Sequence, residues 1–177
     1  MSAQRTPRVT AREPELFVRD HAIAVDTPIG KMYIQCDGEL ITRATFDPIS
    51  LRKAKPPRVL LEAEKQMMDY FEGRRKKFEL PVQRVGTPFR RLVWSVLEDI
   101  PFGEARTYQA LADRIGGRAV ARTIGNACAS NPLLIIVPCH RVLAVNGLLT
   151  GYAGGLWRKR WLLTHEGVLS KELFEDA

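Results

Sequence analysis

An α+β chain in two parts is the expectation from three features of its 177 residues. Short β-like pieces cluster before residue 47, helical periodicity is strong from residue 58 on, and composition shifts near residue 84. With 45% hydrophobic residues the chain has material for a core, and 13 Gly and 11 Pro without a fixed period exclude collagen-like and repeat architectures. Residues 1–20 mix Arg, Pro, Thr and Glu without periodicity and read as a tail, as do residues 169–177. Between them, 21–84 forms the first part and 85–168 the second.

In the first part, Ala22–Val25, Lys31–Cys36 and Leu40–Phe46 are separated by Pro28-Ile29-Gly30 and Asp37-Gly38 turns, which predicts a small antiparallel meander. A helix follows at about 58–72, with Leu60, Ala63, Met67 and Phe71 on one face and Gly73 as its stop. The basic run Arg74-Arg75-Lys76-Lys77 leads to Leu80-Pro81 and the boundary.

The second part opens on Thr87 as N-cap and Pro88 at N1, with Phe89, Leu92, Val93, Val96 and Leu97 as the inward stripe. Thr107 caps a short helix carrying Ala110, Leu111 and Ile115, Gly116-Gly117 breaks it, and a second helix runs from about Arg118 to Ser130. That is a helix-turn-helix outline, although two merely packed helices fit the pattern equally well. Val120, Ala121, Ile124, Ala127 and Cys128 share the buried side of the second helix. Arg118, Arg122, Gly125, Asn126 and Ala129 lie opposite, a basic face with little bulk that suits close approach to a sugar-phosphate surface. The apolar run Leu133–Val137 reads as a buried strand delivering Pro138-Cys139-His140-Arg141 at its end. Asn146-Gly147 marks a hairpin turn between Val142-Leu143 and Leu148-Leu149. The loop Gly151–Gly155 carries little side-chain bulk, so backbone can come close to a ligand. A last helix, about Leu156 to His165, turns Leu156, Leu162 and Leu163 inward and ends at Gly167.

The net charge is +7, and its distribution is one-sided. From Arg114 to His165 there are seven basic side chains and no Asp or Glu, leaving 20 basic and 20 acidic residues in the rest. A solvated basic face is the plain alternative to a surface for the phosphate backbone of nucleic acid. Cys36, Cys128 and Cys139 are odd in number and widely spaced, against a disulfide framework and for a reducing compartment. Three histidines without ligand spacing argue against a metal site. No apolar leader opens the chain and Leu133–Val137 is too short to span a bilayer, so a cytoplasmic protein without membrane contact is expected. A cysteine is nucleophilic as thiolate, and His140 and Arg141 beside Cys139 fit that chemistry. An inert buried thiol fits the local sequence as well.

Taken together, Gly86-Thr87-Pro88-Phe89, Ile100-Pro101-Phe102-Gly103-Glu104, Thr107-Tyr108, Gly125-Asn126-Ala127, Val137-Pro138-Cys139-His140-Arg141-Val142, Gly151-Tyr152-Ala153-Gly154-Gly155-Leu156 and His165-Glu166-Gly167 resemble the O6-alkylguanine-DNA alkyltransferases, the methylated-DNA:protein-cysteine methyltransferases. The match covers essentially all of 85–168. The first part is similar more loosely, through Tyr70-Phe71-Glu72-Gly73-Arg74 and Phe78-Glu79-Leu80-Pro81. The resemblance implies a ribonuclease-H-like α/β domain followed by a winged-helix-like helix-turn-helix domain carrying the reactive cysteine. It implies a suicide reaction in which Cys139 takes the alkyl group from O6 of a guanine turned out of duplex DNA, with no cofactor and no metal; O4-alkylthymine is a further candidate substrate.

In family terms His140 deprotonates Cys139 through a water, Glu166 orients His140, and Tyr108 relieves charge on the departing guanine. Asn131 matches the hinge before the active-site segment. Arg122 matches the finger that fills the vacated space, where by itself it reads as a phosphate contact. The DNA-contacting set is Thr107, Tyr108, Arg118, Ala121, Arg122, Gly125, Asn126 and Arg141, and the pocket set is Pro138, Val142, Tyr152, Ala153 and Gly154. Ala153 stands where many members carry Ser. The zinc cluster and the sensor domain of some members have no counterpart, which implies a stand-alone monomer whose cooperativity on DNA is open. The alternatives are a module that recognises alkylated DNA without transfer, a helix-turn-helix transcription factor, and a cysteine hydrolase, which would turn over.

Overall fold

The computed structural model describes residues 21–51, 54–116 and 121–170. The expected tail over 1–20, Arg118 and Val120 of the expected second helix, and residues 171–177 lie outside the described residues.

The meander forms as expected: β1 (His21–Thr27), β2 (Gly30–Cys36) and β3 (Ile41–Thr45) make an antiparallel sheet in that order. The β1–β2 hairpin closes from Thr27 to Gly30, whose φ of 103° is one that glycine adopts without steric cost. Met32, Ile34 and Cys36 alternate inward along β2, and helix α1 (Arg58–Phe71) covers this face with Leu60, Ala63, Met67, Tyr70 and Phe71. The outer edge of β3 is not left open. Ile41 bonds to Pro81 and Gln83 at the end of the first part, and Ala44 bonds to Pro132 and Leu134, which stitches the second part of the chain to the sheet of the first.

Helix α2 (Pro88–Glu98) starts where its caps predict, with the Thr87 hydroxyl accepting from the Arg90 amide. Its inward face is rotated from the expected stripe. Val93, Trp94 and Leu97 are buried, whereas Phe89 and Leu92 are 36% and 47% exposed. Trp94 takes the centre because its indole N–H donates to the Ala127 carbonyl at 2.9 Å, which locks the large ring inside. Strand β4 (Arg106–Thr107) leads into α3 (Tyr108–Ile115), capped by Thr107, and α4 (Ala121–Ala129) packs across it with Ile124, Ala127 and Cys128 buried.

Two expected β features are corrected. Leu133–Val137 is largely buried but is not a strand: Leu133 bridges to Ala44 of β3, Leu134 bridges to Val137 within the run itself, and the Val137 amide folds back to the Leu133 carbonyl at 2.8 Å. Ile135 sits inside this turn at φ 72°, a conformation a β-branched residue rarely adopts. The Asn146-Gly147 reversal is present, with Ala144 bonded to Leu148, but Leu148-Leu149 forms no strand. Instead β5 (Val142–Leu143) pairs in parallel with β4, while Val145 and Leu148 are exposed.

Helix α5 (Leu156–His165) has the expected bounds, but Leu156 is 48% exposed and Lys159 is buried in the face with Leu162 and Leu163. The buried apolar side chains form one connected core from Val25 to Leu162, running through both parts. Among the described residues no helix is long and apolar enough to cross a membrane.

Candidate active site

The reactive segment is built by backbone geometry. Pro138, at φ −82° and ψ 58°, makes an inverse γ-turn in which the Cys139 amide reaches the Val137 carbonyl at 2.8 Å. Cys139–Arg141 then forms one 3-10 turn, closed by the Arg141 amide on the Pro138 carbonyl. On a strand, neighbouring side chains would alternate between two faces. On a 3-10 turn they fan out, so Cys139, His140 and Arg141 each reach a different set of partners.

Cys139 is 2% exposed. The Asn131 side-chain amide donates to its Sγ at 3.1 Å and to the Val137 carbonyl at 2.8 Å, while the Asn131 oxygen accepts from the Leu133 amide at 2.9 Å. Asn131 therefore pins both ends of the 133–137 turn and aims the thiol. Burial pushes the thiol up to about 11, against the pull of the Asn131 amide and the Lys159 ammonium. At that value only about one protein in 10⁴ carries a thiolate at neutral pH, so a base is needed when the reaction occurs.

His140, fully buried, bonds through Nε2 to Glu166 Oε1 at 2.8 Å. Glu166, in turn, accepts Arg141 Nε on Oε2 at 2.8 Å and Arg141 Nη2 on Oε1 at 2.9 Å. Burial alone would raise the Glu166 carboxyl, but hydrogen bonds and charge from His140 and Arg141 outweigh it and bring it down to about 2. Burial lowers the His140 imidazole below its ordinary value despite the Glu166 bond. A neutral imidazole facing a carboxylate through Nε2 carries its proton there, which leaves Nδ1 as the basic atom. Nδ1 is buried and has no protein partner.

Lys159, which sequence reasoning left in the solvent-facing basic run, is 0% exposed. Its Nζ donates to the Thr150 carbonyl at 2.7 Å and lies 5.8 Å from the Tyr108 ring centre. Burial brings the ammonium down to about 8, offset in part by the Cys139 and Cys128 sulfurs, which favour its charged form. The available signal was its position on α5, three and four residues before Leu162 and Leu163.

A groove of about 320 Å³ lies between α3, α4 and the glycine loop, lined by Tyr108, Ala121, Arg122, Gly125, Ala129, Thr150 and Gly151. Four expected DNA-facing residues thus meet there; Asn126 is exposed on α4, and Thr107 serves as the α3 cap. Tyr108 is half-buried with its hydroxyl on the Thr150 carbonyl at 3.2 Å, and burial raises its phenol above the ordinary value. Arg141 is not on this surface. It is 6% exposed and holds Glu166 and the Ile100 carbonyl.

Of the pocket set, Pro138, Val142 and Gly154 are buried, Ala153 is exposed, and the Tyr152 ring meets His140 edge-on at 6.3 Å. A Cβ on Gly154 would lie 2.6 Å from the Tyr152 ring, so glycine is required there. Among the described residues, no group of three His, Cys, Asp or Glu is placed to hold a metal ion.

A buried thiol held by a side-chain amide and flanked by a hydrogen-bonded His–Glu–Arg cluster, beside a groove lined by two helices, is the arrangement of a protein with cysteine-centred chemistry. Residues 88–168 match the family model described as the DNA-binding domain of 6-O-methylguanine DNA methyltransferase. A relative from Mycobacterium bovis, named methylated-DNA–protein-cysteine methyltransferase, is 39% identical over 151 residues, spanning 82% of this chain and 92% of its own. The crystal structure of the Mycobacterium tuberculosis O6-methylguanine methyltransferase superposes with a TM-score of 0.76 at 35% identity, covering 89% of this chain and 99% of that one. A Mycobacterium tuberculosis OGT structure in complex with DNA gives a TM-score of 0.75 at 38% identity over 84% of this chain and 93% of its own. The chain belongs to the methylated-DNA–protein-cysteine methyltransferase family.

Proposed function

We propose that this protein repairs DNA by direct reversal, transferring the alkyl group of O6-alkylguanine in duplex DNA irreversibly to Cys139. The observation that carries this reading is the buried Cys139 thiol, aimed by Asn131 and neighboured by the His140–Glu166 pair, in a chain of this family. The groove beside α4 receives the guanine turned out of the stack, and Arg122 occupies the space it leaves. His140 Nδ1 takes the thiol proton through a water, with Glu166 stabilising the resulting imidazolium. The sulfur attacks the alkyl carbon in line, an S–C bond forms, and the C–O6 bond breaks with its electron pair passing to the guanine. The Tyr108 hydroxyl donates to the departing base. The thioether has no route back, so each molecule acts once.

We read the first part as a ribonuclease-H-like domain over 21–84 and the second as a winged-helix-like domain over 85–168. The antiparallel hairpins with α1 support the former, and the α3–α4 pair followed by β5 supports the latter. The protein acts as a cytoplasmic monomer on alkylated duplex DNA, without a cofactor.

Duplex DNA carrying one labelled O6-methylguanine tests the reaction. One methyl per protein on the peptide containing Cys139, no second turnover, and none on Cys139→Ala is the expected result. Tight binding of lesion DNA without transfer would make the protein a recognition module instead.

A further inference from the structure

The motif Tyr70-Phe71-Glu72-Gly73-Arg74 in the first part has no role in the transfer chemistry as drawn above, yet its first residue reaches the heart of the site. We propose that Tyr70 is a positioning residue for alkyl transfer: its hydroxyl, delivered from α1, sets how strongly Glu166 holds His140.

The geometry is specific. The Tyr70 O–H donates to Glu166 Oε1 at 2.7 Å, across 96 positions of sequence. The same oxygen accepts His140 Nε2 at 2.8 Å and Arg141 Nη2 at 2.9 Å, so three donors share one oxygen, while among the described residues Oε2 receives Arg141 Nε alone. Arg141 is anchored separately on the Ile100 carbonyl and is not free to adjust. Tyr70 is anchored too. Its carbonyl accepts from His165 Nε2 at 2.8 Å, one residue before Glu166, and its ring packs edge-on against Phe71, Phe102 and His165. Burial and then the Glu166 charge hold the phenol well above its ordinary value, so it stays a donor across the working pH range. The other charged or titratable groups acting on this cluster are Lys159 and Tyr152.

Donors that share an acceptor oxygen weaken one another's bonds. Removing the phenol hydroxyl lets Glu166 bind His140 more strongly, which favours the imidazolium. His140 then holds its proton to a higher pH and is unavailable as a base over more of the acid range. The inference rests on the reading of His140 as the base, and its test separates the two.

The test is the single-turnover rate of methyl transfer from O6-methylguanine duplex to the full chain, measured from pH 5 to 9 for wild type, Tyr70→Phe and His140→Gln. For Tyr70→Phe the acid limb is expected to move upward by about half to one pH unit, with a larger rate loss at pH 6 than at pH 8. Site-specific 3-fluorotyrosine at position 70, a more acidic donor that keeps the ring and the hydroxyl, is expected to move the limb downward, and it serves where the Phe variant does not fold. A limb that is abolished in His140→Gln but moves with neither change at Tyr70 overturns the proposal alone, as does a uniform rate loss without a shift. A limb that persists in His140→Gln overturns the relay and this proposal together.

Discussion

Cys139 and Lys159 present opposite faces of the same cost, a nucleophile kept neutral by burial beside a cation that burial also weakens. A thiol near 11 is protected from adventitious electrophiles while no lesion is bound, and the Lys159 ammonium is the full charge placed to favour the thiolate when it forms. Lys159→Met keeps most of the side-chain volume and removes that charge. Single-turnover transfer should fall about tenfold or more, without a drop in melting temperature, because a buried cation with a lowered pKa costs the folded state. Wild type should also slow as pH rises past about 8, where Lys159 discharges, and the variant should lack that alkaline decline. Glu166 governs the opposite end of the pH scale. Its folded value of about 2 lies below the ordinary 4.5, so its stabilisation is complete above pH 4.5 and is lost as pH falls towards 2, amounting to about 3 kcal/mol. The lowered His140 acts in the same sense, since the unfolded chain takes up that proton first. Urea titrations at stepped pH should show this acid loss in wild type and much less of it in Glu166→Gln. Lys159 was hidden in sequence because Arg158-Lys159-Arg160 looks like any solvated basic run; the carbonyls of Thr150 and Gly151 and the face of the Tyr108 ring make its burial tolerable.

Elements defined by local chemistry were legible in sequence, and those decided by distant contacts were not. Thr87 with Pro88 placed the start of α2, Thr107 placed α3, and α5 has its expected ends, because caps and periodicity act within one turn. Leu133–Val137 was misread because an apolar run without a period fits a strand or a buried turn alike. Its conformation is settled by Asn131 and the edge of β3, which take up its backbone groups, and by an Ile135 held at a strained φ costing about 1–3 kcal/mol. The outer face of α4 was read correctly for Arg122 and Gly125, since one helix's periodicity separates them from Ile124, Ala127 and Cys128, but Ala121, expected on the buried side, starts the helix at the lip of the groove and lines it. That face yields a prediction about Arg122, which is exposed at the rim of the groove. Arg122→Ala should slow transfer from duplex DNA by about tenfold or more and make the slope of log affinity against log salt shallower by about one. Transfer from a free O6-alkylguanine base, which needs no flipping, should be nearly unchanged. An equal loss on both substrates would remove Arg122 from any role in DNA.

On the scale of the whole molecule, the surplus positive charge is less of a DNA surface than its distribution suggested. Of the seven basic residues from Arg114 to His165, Arg141 and Lys159 are buried, and Arg158 is turned inward between Phe46 and Trp157, bonded to the carbonyls of Ile29 and Gly154. Three of the seven therefore point into the protein and add nothing to an outer basic surface. Much of what they and the site lean on comes from the first part of the chain. Ala44 on β3 pairs with the segment leading to Cys139, Tyr70 on α1 donates to Glu166, and Ile29 receives Arg158 beside the pocket loop. None of these contacts had a sequence signal, because each joins residues about 90 to 130 positions apart. With one connected core, the two parts should unfold together in a single transition. A fragment of residues 85–170 keeps Cys139, His140, Glu166 and the helix pair, but it loses the β3 partner of the 133–137 turn, the phenol on Glu166 and one of the two acceptors of Arg158. It should show no cooperative melting and transfer no methyl, although it contains every residue of the family's cysteine motif. Adding back residues 21–84 as a separate chain should restore both only to the extent that the two pieces associate, which a concentration-dependent melting temperature would reveal. A fragment that melts cooperatively and repairs DNA by itself would reduce the first part to a passive attachment.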